Sequence, residues 1–384
     1  MTRVSVRPEL LRWARERSRV ELPALERKFP KLKEWESGET APTLKQLDSF
    51  ARATYAPVGY LFLQQPPFES IPIPDFRTIA NQEIGKPSPN LLDTIYICQD
   101  RQQWYKEFMQ STQELPLAFP GSMTVATPIT HAAEVIRSTM GIDLDARRNC
   151  PTWTEALRMF IAKADASGIL VMCSGVVLNN NRRHLDPKEF RGFALADDRA
   201  PLIFVNGADS KSAQMFTLAH EIAHIWLGST ALSDVAVNTK SNIEAERWCN
   251  QVAAEILIPL TSVRDELAFN PDAPLLELIK KLTRTFKVSS LVVLIRLFDA
   301  GYLNSDAFRK AYDDEVARLS DLPRPGGGGD FYLTTAARVS KRFARALLES
   351  TFEGRTLYRD AFRMLGISKI TTFQDLGKSL HFSN

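Results

Sequence analysis

The stretch Phe216-Thr217-Leu218-Ala219-His220-Glu221-Ile222-Ala223-His224-Ile225-Trp226-Leu227-Gly228 carries more of the reading than any other part of the chain. Its apolar residues fall almost all round a helical repeat instead of on one stripe, which predicts a buried helix over 212–227. His220 and His224 stand four residues apart, so both imidazoles leave one face and can share a tetrahedral ion. Glu221 lies beside them, in position to take a proton from an attacking water. Buried imidazoles and a buried carboxylate need partners, and a metal supplies them. The competing reading is two histidines satisfied within a core or turned to solvent; the apolar helix disfavours it.

A catalytic zinc takes three protein ligands and leaves one position open. The next helical run, NIEAERWCNQVAAEILIP at 242–259, offers Glu244, Glu246 and Glu255. Glu246 and Asn250 are one turn apart, so Glu246 can bind the ion while Asn250 steadies a ligand histidine from behind. Ala245, Cys249, Val252 and Ile256 form the adjoining apolar stripe. Glu246 is therefore the preferred third ligand and Glu244 the runner-up.

Together, FTLAHEIAHIWLG and ERWCNQVAAEILIP resemble the ImmA/IrrE family of bacterial metallopeptidases, whose second helix reads E-x-x-A-N-x-F-A-A-x-L-L-x-P. Asn250, Ala253, Ala254 and Pro259 match that pattern, while Cys249 stands for the usual Ala and Val252 for the usual Phe. The resemblance covers about residues 160–300. It implies that His220, His224 and Glu246 bind Zn2+, and that Glu221 is the general base of a zinc metalloendopeptidase. It also implies a specific protein substrate, often a repressor or antitoxin, in a stress, toxin-antitoxin or phage-related circuit. In such chemistry zinc polarises the peptide carbonyl and activates water, and Glu221 passes the proton to the leaving amine. A helper for the developing oxyanion is expected; His184, in NNNRRHLDP, is a candidate, though a loop histidine is commonly just exposed.

Upstream of this helix the pattern changes after Gly168. ILVMC (169–173), GVVL (175–178), FALA (193–196) and PLIFVN (201–206) read as strands of a small sheet. Residues 191–206 could present an edge strand to an extended peptide. Helices are expected at 90–110, 129–140, 152–166, 242–258 and 273–299. The fold class is α+β: mainly helical, with a small sheet beside a zincin-like helix pair.

Residues 8–63 read as short helices, with apolar sets Leu10/Leu11/Ala14, Leu22/Leu25/Phe29, Leu32/Trp35 and Leu44/Leu47/Phe50/Ala51, the last capped by Thr43. WESGETAPTLKQLDSFARAT (35–54) is similar to the XRE-type helix-turn-helix signature. Residues 1–60 hold twelve Lys/Arg against eight Asp/Glu, and DNA contact through 1–65 would use Lys31 and Lys33. Pro30 interrupts the turn into the recognition helix, and Glu34 and Glu36 would repel phosphate. A module kept for regulation or protein contact is the competing reading.

The expected division is 1–65 helix-turn-helix-like, 66–150 Pro-rich connector and helices, 151–322 metallopeptidase, 323–329 (PRPGGGG) linker, and 330–384 a small helical tail. In the tail, Arg338, Lys341, Arg342 and Arg345 would form one basic helix stripe. A net charge of +3 over 384 residues implies no partner by itself. Four unpaired-looking cysteines, no signal-peptide pattern and no apolar run of membrane length place the protein in the cytoplasm. A different class of function remains open to the same residues: a DNA-binding regulator or antitoxin whose metal domain is structural or sensory. Glu221 separates the two, because a structural site needs ligands but no base.

Overall fold

The computed structural model of the protein describes residues 3–75, 86–233, 244–271, 273–320 and 338–380. It divides into two compact units. The first takes in the chain to Pro72 together with Lys86–Tyr96; the second takes in Ile73–Asp75 and the described chain from Ile97.

The first unit holds α1 (Pro8–Ser18), α2 (Leu22–Lys28), α3 (Leu32–Ser37) and α4 (Leu44–Ala53). Leu10, Leu11, Ala14, Leu25, Phe29, Leu32, Trp35, Leu47 and Phe50 form its core. The Phe29 and Phe50 rings meet edge-on at 5.5 Å, a geometry that favours aromatic pairs. Thr43 caps α4 through a reciprocal pair with Gln46: the threonine side chain accepts from the Gln46 N–H, and the glutamine side chain accepts from the Thr43 N–H. Leu44, expected in the apolar stripe, is 56% exposed. It is the first residue after the cap and faces away from the stripe made by Leu47, Phe50 and Ala51.

α5 (Pro89–Ser111) passes from the first unit into the second, which continues with α6 (Ile129–Met140), α7 (Leu144–Arg148) and α8 (Trp153–Ala166). Four strands follow: β1 (Leu170–Ser174), β2 (Gly192–Leu195), β3 (Leu202–Asn206) and, after α9 (Lys211–Leu227), β4 (Ala231–Ser233). Next come α10 (Glu244–Leu257), α11 (Leu260–Phe269), α12 (Leu275–Phe286), α13 (Ser290–Asp299) and α14 (Ser305–Ser320). The tail is α15 (Lys341–Phe352), α16 (Tyr358–Leu365) and α17 (Ile370–Ser379). The protein is α+β and mainly helical, as its sequence pattern predicts.

The sheet is mixed, in the order β1-β3-β2-β4. β1 runs parallel to β3, while β2 pairs antiparallel with both β3 and β4. Its strands alternate between two covered faces, as the two-residue strand period requires. Val171, Ala194, Ile203 and Val205 share one core with α6, α8, α9 and α10. On the opposite face Phe190, Phe193 and Phe204 pack together, and Met172 meets Cys98.

This topology corrects several sequence expectations. β2 and β3 are both interior, so residues 191–206 offer no edge; the three residues of β4 close the outer side of β2. The run at 175–178 is a turn instead of a strand: Leu178 takes a left-handed φ of 51°, and Val176 makes only an isolated bridge to His184. The helix expected over 273–299 is two helices, because Lys287 adopts a left-handed φ of 52° between them. The linker at 323–329 lies outside the described residues. Among the described residues no helix is long and apolar enough to cross a membrane.

Candidate metal centre

α9 is the buried helix. Ser210 starts it by accepting from the Ala213 N–H, a standard N-cap arrangement. Met215, Phe216, Leu218, Ala219, Ile222, Ala223, Ile225 and Trp226 are all buried, each large side chain contributing about 1.5–3 kcal/mol. Gly228 ends it in the left-handed conformation, φ 66°, which glycine adopts without the Cβ penalty. A Cβ there would also lie 2.9 Å from the Gly121 backbone. That close approach lets the Gly121 and Met123 N–H groups donate to the Ile225 and Trp226 carbonyls, both at 3.0 Å. The C-terminal turn of α9 is thus tied down from a distant loop.

α10 packs against α9 and faces it with Glu246. Glu246 Oε1 lies 3.0 Å from His224 Nε2 and Oε2 lies 3.3 Å from His220 Nε2. The two Nε2 atoms are 3.1 Å apart. An ion held tetrahedrally at zinc's usual ~2.0–2.1 Å sets its donors about 3.3 Å apart. The three separations lie close to that figure, with the carboxylate meeting each imidazole through a different oxygen. Among the described residues this is the group of His, Cys, Asp or Glu side chains able to hold a metal.

The charge distribution agrees with the geometry. Burial by itself raises the Glu246 carboxyl, but the facing imidazoles of His220 and His224 outweigh it and hold the group well below the usual carboxylate range. Burial pushes the pKa of His224 down, against the pull of the facing Glu246 carboxylate. Without a cation or proton among them, two imidazole lone pairs and a carboxylate at these distances repel one another. The donor set fits zinc.

Asn250 Oδ1 lies 3.0 Å from His220 Nδ1. An amide oxygen there accepts from the Nδ1–H and thereby fixes the tautomer that leaves Nε2 free for a metal. Glu244 is exposed at the start of α10, and Glu255 is engaged by Arg296 in a buried ion pair. Neither belongs to the ligand set.

Glu221 is fully buried on the side of α9 that faces β2. A Cβ built on Gly192 would stand 3.3 Å from Glu221 Oε1 and 2.6 Å from Thr217 Cγ2. Gly192 therefore forms the floor under Thr217 and Glu221, a role the sequence reading missed. The signal was present: an isolated glycine in a strand pattern marks a close backbone approach. His184 is exposed beyond the end of β1, and β3 separates β1 from Gly192 and β2. Lys31 and Lys33 pair with Glu34 at 3.7 Å and with Glu26 at 3.0 Å, both near the surface. In the tail, Arg342 Nε donates to the Tyr105 hydroxyl and Arg338 Nη1 to Asn179 Oδ1, both at 2.7 Å. Only Lys341 and Arg345 stay exposed, so there is no single basic stripe.

None of the curated proteins matches the chain. Residues 339–379 match a family model described only as a domain of unknown function (DUF8813). The span from just before β1 into α13, residues 164–298, contains His220, Glu221, His224, Glu246 and Asn250, and it matches the family model of the IrrE N-terminal-like domain, Peptidase M78.

Proposed function

We propose that this protein is a zinc-dependent endopeptidase that hydrolyses a specific protein substrate. The observation that carries the reading is the triangle of His220, His224 and Glu246 donors, closed to ion-sized spacing, with a buried carboxylate on the next residue of the same helix. The match of 164–298 to a metallopeptidase family supports it. Bound zinc would polarise the scissile carbonyl and make water acidic enough to be deprotonated near neutral pH. Glu221 takes that proton as the water attacks and returns it to the leaving amine, so two peptides form without a covalent intermediate. Gly192 and Thr217 hold the base in place. Asn250 orients His220. An extended substrate would lie along the sheet edge at β4, whose Ser233 pairs with Gly192 directly beneath the base.

The similarity to ImmA/IrrE proteins points to a repressor or antitoxin as substrate. The N-terminal helices, similar to the XRE-type fold, would then be the regulatory module, with Lys31 and Lys33 as candidate DNA contacts. The deciding experiment pairs metal analysis with function. Wild type should carry about one zinc per chain and His220→Ala should carry none. Glu221→Gln keeps every ligand, so it should retain zinc while hydrolysis falls by ~10²–10⁴. A zinc-replete Glu221→Gln protein with full biological activity would show that the site regulates without cutting.

A further inference from the structure

The sheet edge beside the candidate site is already occupied, and by this chain itself. β4 is the outer strand beside β2 in the order, and its outer edge is where an extended peptide would add a strand. Instead, the Leu232 N–H donates to the Pro74 carbonyl at 2.9 Å, and Asp75 forms a parallel bridge to Leu232. Ile73 is 7% exposed, so an apolar anchor accompanies the backbone contact. The reactive set is shut off from solvent in the same state: His220, Glu221 and His224 are fully buried and Glu246 is 5% exposed.

The register brings the strap close to the chemistry. Leu232 precedes Ser233, the residue paired with Gly192, and Gly192 lies under Glu221. Strands pair about 4.8 Å apart, so a substrate strand beside β4 would need the space and the N–H group that Ile73–Asp75 now take. Prolines suit the role. The N–H and C=O of one strand residue point to the same side, so Pro74, which has no N–H, can offer β4 only an acceptor, and the pairing stays short. The Pro74 carbonyl still accepts from β4.

We infer that Ile73-Pro74-Asp75 is an autoinhibitory strap, which holds the substrate edge of β4 closed until an extended peptide or a regulatory event displaces it. The inference rests on the endopeptidase reading above and adds its regulation. Displacement exchanges one acceptor for another at the Leu232 N–H, so the backbone bond itself is nearly neutral in energy. The cost of opening is mainly the exposure of Ile73.

The test uses the full-length, zinc-loaded protein and two probes. An extended peptide hydroxamate needs both the metal and the strand edge; acetohydroxamate needs the metal alone. Ile73→Ser should bind the peptide hydroxamate at least tenfold more tightly than wild type, with acetohydroxamate affinity unchanged. Ile73→Val, which keeps the anchor, should behave as wild type. Equal peptide-hydroxamate affinity in wild type and Ile73→Ser overturns the strap, as does an equal gain for both probes. If neither hydroxamate binds any zinc-loaded form, the peptidase reading fails and takes the strap with it, an outcome distinct from the first two. Should Ile73→Ser not fold, wild type gives the same answer through limited proteolysis. Cleavage within residues 73–75 should accelerate on peptide-hydroxamate binding, and an unchanged rate overturns the strap.

Discussion

One added carbon at Gly192 would sit 2.6 Å from Thr217 Cγ2 and 2.8 Å from the Phe204 carbonyl oxygen, and neither neighbour is the far end of a flexible side chain. Relief therefore requires β2 and α9 to move apart, a small-to-large change of the kind that costs about 1–3 kcal/mol. Thr217 and Glu221 are one turn apart on α9, so the displacement that relieves one carries the other. His220, His224 and Glu246 are held instead by the α9–α10 contact. Gly192→Ala should accordingly keep its zinc while hydrolysis falls about a hundredfold, the usual cost of misplacing a reacting group by an ångström. Metal analysis and peptide hydrolysis on the same preparation separate the two effects. Loss of zinc with an unaltered rate per bound ion would mean that Gly192 supports the ligands and not the base. The histidine pair was legible from spacing because four residues is one helical turn. Gly192 was legible only as a close backbone approach; what it approaches was not, because those atoms lie 12 and 25 positions away, on another strand and on a helix.

Among the elements, α10 has the most demanding job, since it must present Glu246 and Asn250 to α9 while ending in the core. Its terminal carbonyls are met by arginines: Arg137 Nη1 donates to the Glu255 carbonyl at 2.7 Å and Arg296 Nε to the Ile258 carbonyl at 2.9 Å. Arg147 donates to the Leu257 carbonyl. Positive charge at a helix C-terminus is favourable, but the burial is costly, and it depresses the Arg147 guanidinium to a pKa of about 9. Arg296 also pairs with the buried Glu255 carboxylate. Arg296→Met should destabilise the protein by about 3–5 kcal/mol, because it leaves that carboxylate buried without its partner. Adding Glu255→Leu should recover much of the loss. Urea denaturation of the two variants measures both, and a double variant no more stable than the single would show that the arginine acts through the carbonyls alone. These arginines also explain what the sequence concealed at this scale. α11 follows α10 after only Ile258 and Pro259, so periodicity runs one helix into the next. β4 has three residues, too few to show a two-residue period. The long helices that carry His220, His224 and Glu246 were readable; the short elements that shape their surroundings are defined by contacts distant in sequence.

At the scale of the molecule the C-terminal helices lie in the same compact unit as His220, His224 and Glu246. Asp165, at the end of α8, starts α15 by accepting from Ser340 Oγ at 2.6 Å and from the Arg342 N–H at 3.0 Å. Arg101 is fully enclosed and spends its charge on the Met364 carbonyl at the end of α16, at 2.9 and 2.6 Å. Asn179 donates to the carbonyls of Leu365 and Gly366 at 3.2 and 2.9 Å. Phe343 meets the Trp104 ring edge-on at 5.5 Å. A buried guanidinium stripped of its acceptors is among the more expensive defects a core can carry. The tail should therefore open only when α5 and α8, which hold it, open too. In native-state hydrogen exchange, the most protected amides of 341–352 and of 216–227 should report the same opening free energy and the same denaturant dependence. A chain ending at residue 337 should lose protection in α9 as well, although it removes no ligand. If the amides of 341–352 instead exchange through an opening several kcal/mol easier, with α9 undisturbed, then the segment is a separable module and Arg101 finds water when it leaves. Matched metal content in the two samples, checked by elemental analysis, ensures that any loss of protection in α9 reports removal of the tail and not removal of an ion.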